Sequence, residues 1–194
     1  MYRLQADLRQ KGLQALRLAV AAGAAVTLDQ ITKAWTLARL APVEARPVVV
    51  VPGYLRLEYA TNPGAAFSLF HEHPGVLTVL ALALALAVLA WGIFFLKPHE
   101  RVAHVAAGMI FGGAVGNLID RFRFGHVVDF IVAHWGERAW PTFNIADAAI
   151  CVGVGVLIVV LGRASHDAVP EAAGKAGAAP GAGAPSSGGG HTHK

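Results

Sequence analysis

The chain has 194 residues, 55% of them hydrophobic and only 14% charged, with a mean hydropathy of +0.52. Soluble domains carry about 25% charged residues, so this composition excludes an ordinary soluble fold and points to a membrane protein. The formal net charge of +4 is modest and the basic residues are scattered, with no basic patch interleaved with aromatics, which argues against nucleic acid as a partner.

Four apolar stretches read as membrane helices, because backbone groups away from water must be satisfied within their own segment. The first covers about residues 16–37 and carries Asp29 and Lys33 near its far end. It lacks a clean small-residue cleavage site and reads as a retained anchor rather than a cleavable signal. Residues 41–70 follow as an outer segment. There Val48-Val49-Val50-Val51, Pro52-Gly53 and Tyr54-Leu55-Arg56-Leu57-Glu58-Tyr59 read as strand, turn and strand, so a small sheet on the outer membrane surface is expected.

The second stretch, 75–96, has no charged side chain and is long enough for a hydrocarbon core of about 30 Å. The third, 102–119, repeats Gly108, Gly112 and Gly116 at spacing four beside Gly113, a small-residue ridge read as packing. Residues 121–141 read as a second outer loop whose Trp135 and Trp140 suit a headgroup-level aromatic belt. The fourth stretch is 144–161. From residue 164 the chain turns to Ala, Gly, Pro and Ser, so 164–194 is expected to be a disordered cytoplasmic tail behind a membrane domain of 1–163.

Basic residues set the orientation. Arg3, Arg9, Lys11 and Arg17 lie at the start, Lys97 and Arg101 flank the loop between the second and third stretches, and Arg163 follows the fourth. Placing these in the cytoplasm puts both termini inside, although Arg39, Arg46, Arg56, Arg121, Arg123 and Arg138 moderate the bias. Asp29, Asp120, Asp129 and Asp147 then all fall at the outer face.

Carboxylates near hydrocarbon are costly and mark sites by default. Asp29 and Lys33, four apart with the acid first, form a favourable helical pair that either neutralises a polar position or shapes a site. Asp120, beside Arg121 at the expected end of the third helix, is either an interfacial salt bridge or part of a site. In the second case Asn117 and Arg121 are donors for a peptide backbone or lipid phosphate. Asn144 caps the fourth helix and puts Asp147 at its third position, where an acid complements the helix dipole without any chemistry. Asp129, in the expected loop, has only apolar neighbours in Val127-Val128-Asp129-Phe130-Ile131 and suggests an enclosed pocket. Glu58 reads as solvated.

Paired carboxylates share a proton, so that one accepts hydrogen from water while the other donates to a carbonyl, with no metal or cofactor needed. Rival chemistries find less support. His71-Glu72-His73 has the wrong spacing for a zinc-binding helix and reads as a loop. No serine sits in a Gly-x-Ser-x-Gly setting. Cys151 is the only cysteine, which excludes an internal disulfide, and it reads as a small buried hydrophobe.

Five blocks together resemble the lipoprotein signal peptidases, or signal peptidase II, a family of bacterial intramembrane aspartyl peptidases. They are Asp29-Gln30-Ile31-Thr32-Lys33, Asn62-Pro63-Gly64-Ala65-Ala66-Phe67-Ser68, Gly112-Gly113-Ala114-Val115-Gly116-Asn117-Leu118-Ile119-Asp120-Arg121, Val127-Val128-Asp129-Phe130 and Phe143-Asn144-Ile145-Ala146-Asp147-Ala148. The resemblance implies an all-α membrane protein: a bundle of four transmembrane helices with both termini cytoplasmic, a small periplasmic β-sheet and the active site at the periplasmic face of the bacterial inner membrane. It implies a catalytic dyad at Asp129 and Asp147, with Asp29, Asn62, Asn117, Asp120, Arg121 and Asn144 as site-shaping and substrate-binding groups. The implied substrate is a prolipoprotein, cut before a diacylglyceryl-modified cysteine among membrane lipids, and globomycin is the implied inhibitor. The resemblance and a single enclosed site favour a monomer. Two other readings stand beside it: a small proton-coupled carrier with Asp29 and Asp147 as a relay, and a catalytically dead scaffold.

Overall fold

The computed structural model describes residues 2–42, 46–64, 74–136 and 138–176. In chain order its elements are α1 (Tyr2–Arg39), β1 (Val48–Val51), β2 (Leu55–Asn62), α2 (Pro74–Phe94), α3 (Arg101–Phe124), β3 (Val127–Trp135), β4 (Arg138–Ala139) and α4 (Ile145–Ala176). The architecture is mostly helical with a small antiparallel sheet. Leu4–Arg39, Arg101–Phe124 and Ile145–Arg163 are long and apolar enough to cross a membrane, and Thr78–Phe94 is a shorter apolar helix. The chain divides into two compact units, Met1–Val160 and Leu161–Lys194, and everything that follows about packing and the site concerns the first.

One stripe of α1 and its C-terminal extension is buried: Gln14, Leu18, Ala22, Ala25, Asp29, Lys33, Thr36 and Leu40. Steps of three and four place these residues on one helix face. The glycine ridge of α3 lies against that stripe. A Cβ at Gly108 would stand 2.5 Å from the Leu18 carbonyl oxygen, one at Gly112 2.5 Å from that of Ala22, and one at Gly116 2.5 Å from Asp29 Oδ2. Gly113, on another side of α3, faces the Ala146 carbonyl of α4, and Gly92 of α2 faces Leu18 and Ala107. α3 is therefore the hub of the bundle, its small residues admitting neighbours on three sides. Leu18, Leu96, Ala103 and Ala107 form the apolar core, with Val88, Leu89, Trp91, Leu157 and Val160 packed around it.

The outward faces are just as apolar. Leu28, Ile31, Val79, Leu84, Phe94, Val152 and Ile158 are all exposed, a distribution suited to lipid rather than water. Cys151 is exposed too, on this outward side of α4, so its expected burial in protein is corrected.

The sheet has the order β1-β2-β3-β4, antiparallel throughout. The β1–β2 hairpin follows the sequence expectation, turning through Gly53 at φ 81°. The loop expected at 121–141 is corrected: its first residues continue α3 and its middle is β3, whose pairing with β2 sets Ala60 opposite Asp129 and Asn62 opposite Val127. Val127, Val128, Asp129 and Phe130 are all buried, so the strand lacks the alternation of a half-solvated strand and reads as a plain apolar run. Asp129 thus sits on a strand, not in a loop. A second correction concerns α3, which continues past 119 to Phe124, so that Asp120 and Arg121 lie within it. It stops at Gly125, left-handed at φ 77°, whose N–H donates to the Arg121 carbonyl. In the second unit α4 runs to Ala176, through part of the segment expected to be disordered, and 177–194 lie outside the described residues. His71-Glu72-His73 and Ala65–Ser68 also lie outside them.

Candidate active site

Three buried ions anchor the polar end of the bundle. The Lys33 ammonium lies 2.8 Å from Asp29 Oδ2 and 2.8 Å from Asp120 Oδ2, and donates to Asn117 Oδ1 at 3.0 Å. None of the three ionic side chains is more than 2% exposed. Such burial is tolerable only when each charge is paired and its remaining polar capacity filled. The remaining partners come from other elements. Asp29 Oδ1 accepts the Ala146 N–H at 3.0 Å, in the first turn of α4 where a negative charge complements the helix dipole. Asp120 Oδ2 accepts the Val128 N–H of β3 at 3.0 Å, and Gln30 donates to Asp29, Asp120 and the Gly116 carbonyl. One charge cluster therefore joins α1, α3, β3 and α4.

Asp129 and Asp147 lie in front of it, both held by Asn144. The capping expectation holds in reciprocal form: the Asp147 N–H donates to Asn144 Oδ1 at 2.9 Å, and the Asn144 N–H donates to Asp147 Oδ2 at 3.3 Å. The Asn144 amide nitrogen then reaches Asp129 Oδ1 at 2.7 Å. Two further asparagines complete the set. Asn62 of β2 donates to Asp129 Oδ2 at 3.0 Å, and Asn117 of α3 donates to Asp147 Oδ1 at 2.8 Å. Every carboxylate oxygen of the pair thus accepts one hydrogen bond. Each amide is turned by a donor on its oxygen: Gly64 N–H for Asn62, Lys33 for Asn117, and Asp147 N–H for Asn144.

The two acids sit in unlike surroundings. Asp129 is 1% exposed, whereas Asp147 is half-buried. Burial, and then the neighbouring charge of Asp147, push the Asp129 carboxyl up to about 6, against the opposing hydrogen bonds from Asn62 and Asn144.

The structure therefore brings together five residues singled out from sequence, Asn62, Asn117, Asp129, Asn144 and Asp147. Asp29 and Asp120 stand behind them, reached through Lys33. Arg121 is half-buried and donates to the carbonyls of Asn117 and Gly64 at 3.3 and 3.4 Å. The suggested Asp120–Arg121 salt bridge is corrected, because the ion-pair partner of Asp120 is Lys33. Gln30 is the residue that sequence reasoning missed, and Lys33 was read only as the partner of Asp29. The pair four apart on α1 was visible; the partners of Lys33 on α3 were not, since they lie over 80 positions away. Glu58 pairs with Arg56 at 2.8 Å, both more than 40% exposed, as a solvated acid does. Among the described residues no cluster of His, Cys, Asp and Glu is arranged to hold a metal ion.

A family model described as signal peptidase (SPase) II matches residues 21–162, which include every residue of this arrangement. The chain belongs to the signal peptidase II family. It is a membrane protein of a peptidase family. A lipoprotein signal peptidase of Syntrophotalea carbinolica is 42% identical over 140 residues, covering 71% of this chain and 86% of the relative. One from Azoarcus sp. strain BH72 is 38% identical over 173 residues, 87% of this chain and 97% of the relative. Among solved structures, a bacterial membrane enzyme determined by the in meso method at 2.3 Å resolution superposes with a TM-score of 0.67 at 28% identity, over 80% of this chain and 91% of the other. A second, at 1.9 Å resolution, gives a TM-score of 0.63 at 29% identity, over 77% and 92%.

Proposed function

We propose that this signal peptidase II homologue is an aspartic endopeptidase that removes the signal peptide from prolipoproteins, cutting before the diacylglyceryl-modified cysteine. The observation that carries the reading is Asn144, which is hydrogen bonded to the carboxylates of both Asp129 and Asp147. Two acids tied to one residue, one enclosed and one reachable, suit a dyad with divided roles. Asp147 takes a proton from water as its oxygen attacks the scissile carbonyl carbon, and Asp129 gives its proton to the carbonyl oxygen. Collapse of the tetrahedral intermediate then releases a carboxylic acid and an amine, the proton returning through the pair. Asn62, Asn117, Asn144 and Arg121 hold the acids and the peptide, while Asp29 and Asp120 support them from behind.

In this reading α1–α4 all cross the membrane, with both termini cytoplasmic and the sheet on the periplasmic face. Residues 1–163 form the peptidase domain of a monomer, and the substrate's acyl chains stay in the lipid. A globomycin-type peptide occupies the same site. The proton-coupled carrier is not favoured. Asp29, half of its relay, is fully buried and committed to Lys33 and the Ala146 N–H, so no free carboxylate remains there to pass a proton.

The test is direct. Purified protein is incubated with a lipidated prolipoprotein, with and without globomycin, and signal-peptide release is followed. Release should be blocked by the inhibitor and fall by at least about a thousandfold in Asp129→Asn and Asp147→Asn, variants that remain folded and inserted. Substantial cleavage by either variant removes that acid from the mechanism, and proton-linked flux in vesicles without proteolysis would favour the carrier instead.

A further inference from the structure

The structure assigns Lys33 a positioning role in the reaction: it fixes the direction of the Asn117 amide and thereby keeps Asp147 the hydrogen-accepting member of the pair. This inference rests on the dyad reading given above.

The argument begins with what an ammonium offers, three donors and no acceptor. All three are in use, toward Asp29 Oδ2, Asp120 Oδ2 and Asn117 Oδ1. Asn117 must therefore present its oxygen to Lys33, because the flipped amide would bring NH2 against the ammonium in a buried space, donor against donor. With the oxygen committed, the amide nitrogen is left for Asp147 Oδ1, which it meets at 2.8 Å. The positive charge on one side of the amide also polarises it, strengthening the N–H it offers on the other. An oxygen facing such a donor is placed to accept a hydrogen and not to donate one.

Asn144 also donates to Asn117 Oδ1, at 3.1 Å, but it is a shared restraint. Its two amide hydrogens face three acceptors, Asp129 Oδ1 at 2.7 Å, Asn117 Oδ1 at 3.1 Å and the Val128 carbonyl at 3.3 Å, and Asp129 is the nearest. Lys33 is the only full charge directed at the Asn117 oxygen among the described hydrogen bonds. Its own place is held by α1, whose spacing of four sets it above Asp29, and by Asp120 of α3. A residue with no hydrogen bond to either acid thus controls one of them through an intervening amide.

The pH dependence of cleavage separates this role from a merely structural one. The ionisable groups around the relay are Asp29 and Lys33 on α1, Asp120 and Arg121 on α3, Asp129 on β3 and Asp147 on α4. In the full-length enzyme, Lys33→Met alone leaves two buried acids unpaired, so the informative variant is Asp29→Asn/Lys33→Met/Asp120→Asn, which removes the whole ion cluster while keeping oxygen acceptors for the Ala146 and Val128 N–H groups. Removing that cluster's net negative charge would by itself shift the acid limb of kcat/KM to lower pH. Losing the directed Asn117 donor shifts it the other way.

The expected result is an acid limb raised by about one pH unit and kcat lowered about tenfold with KM changed less than about twofold, while Lys33→Arg, which retains a cationic donor, keeps the parental limb. Folding is verified by thermal unfolding of the purified protein. An acid limb that stays in place or moves down in the folded triple variant overturns the inference, even while the parent enzyme cleaves. A parent that releases no signal peptide, by contrast, overturns the peptidase reading on which it rests.

Discussion

At the scale of single residues the site is organised by asparagines, and the reason is that an amide has two different ends. A donor bound to the oxygen leaves the NH2 facing a carboxylate, as at Asn62, Asn117 and Asn144. Asn62 and Asn144 thereby favour the charged form of Asp129, yet burial and the charge of Asp147 still hold it up near 6. Two outcomes follow. On the proposed mechanism, kcat/KM of the free enzyme should fall about tenfold for each step of one in pH above about 6, as the donor form of Asp129 is lost; the two apparent values of the resulting bell belong to the coupled pair. Stability moves in the same direction. Because the folded state holds the Asp129 proton more tightly than the unfolded chain, its stabilising contribution is fully present below the ordinary carboxyl value of 3.8 and is lost as pH rises through about 6. Unfolding measured from pH 4 to pH 8 should show this decline in the parent and a smaller one in Asp129→Asn. Its ceiling is about 3 kcal/mol, since each tenfold gain in proton affinity is worth about 1.4 kcal/mol.

At the scale of elements, close packing of α3 is what makes a site from separate helices possible. Its glycines bring α1 near enough for Lys33 to reach Asp120 and Asn117, and bring α4 near enough for Ala146 to donate to Asp29. A methyl at Gly112 meets backbone, the Ala22 carbonyl oxygen at 2.5 Å, which cannot step aside as a side chain can. Gly112→Ala should lower stability by about 1–3 kcal/mol in thermal or denaturant unfolding. Gly116→Ala should in addition reduce cleavage, since its methyl displaces the Asp29 carboxylate. Gly155→Ala, with nothing within 4 Å of the added atom, should match the parent or slightly exceed it in stability, alanine being the better helix former.

At the scale of the whole molecule, the polar cluster lies at one end of an otherwise apolar bundle, and the proposed topology makes that end periplasmic. Impermeant maleimide labelling checks it. In a background with Cys151→Ser, Val49→Cys on the exposed β1 strand should label in cells with a permeabilised outer membrane, and Leu8→Cys near the exposed start of α1 should label only once the inner membrane is opened. The reverse pattern would invert the topology and put the acids on the cytoplasmic side.

Much of this was legible from residue order alone, because it depends on local rules. Apolar length marked the helices, spacing of four marked the glycine ridge and the Asp29–Lys33 pair, and the cap at Asn144 followed from Asp147 standing three residues on. The five motif blocks identified the family. What local rules do not carry is partnership across long chain separations. β3 is hidden because a strand buried on both faces has no alternation, and of the two readings of Asp120, a salt bridge to Arg121 or a place in the site, the chain order does not show that its cation comes from α1. Packing decided those matters: a buried charge takes the opposite charge that the fold brings within reach, and for Asp120 that is Lys33 of α1 rather than the adjoining Arg121.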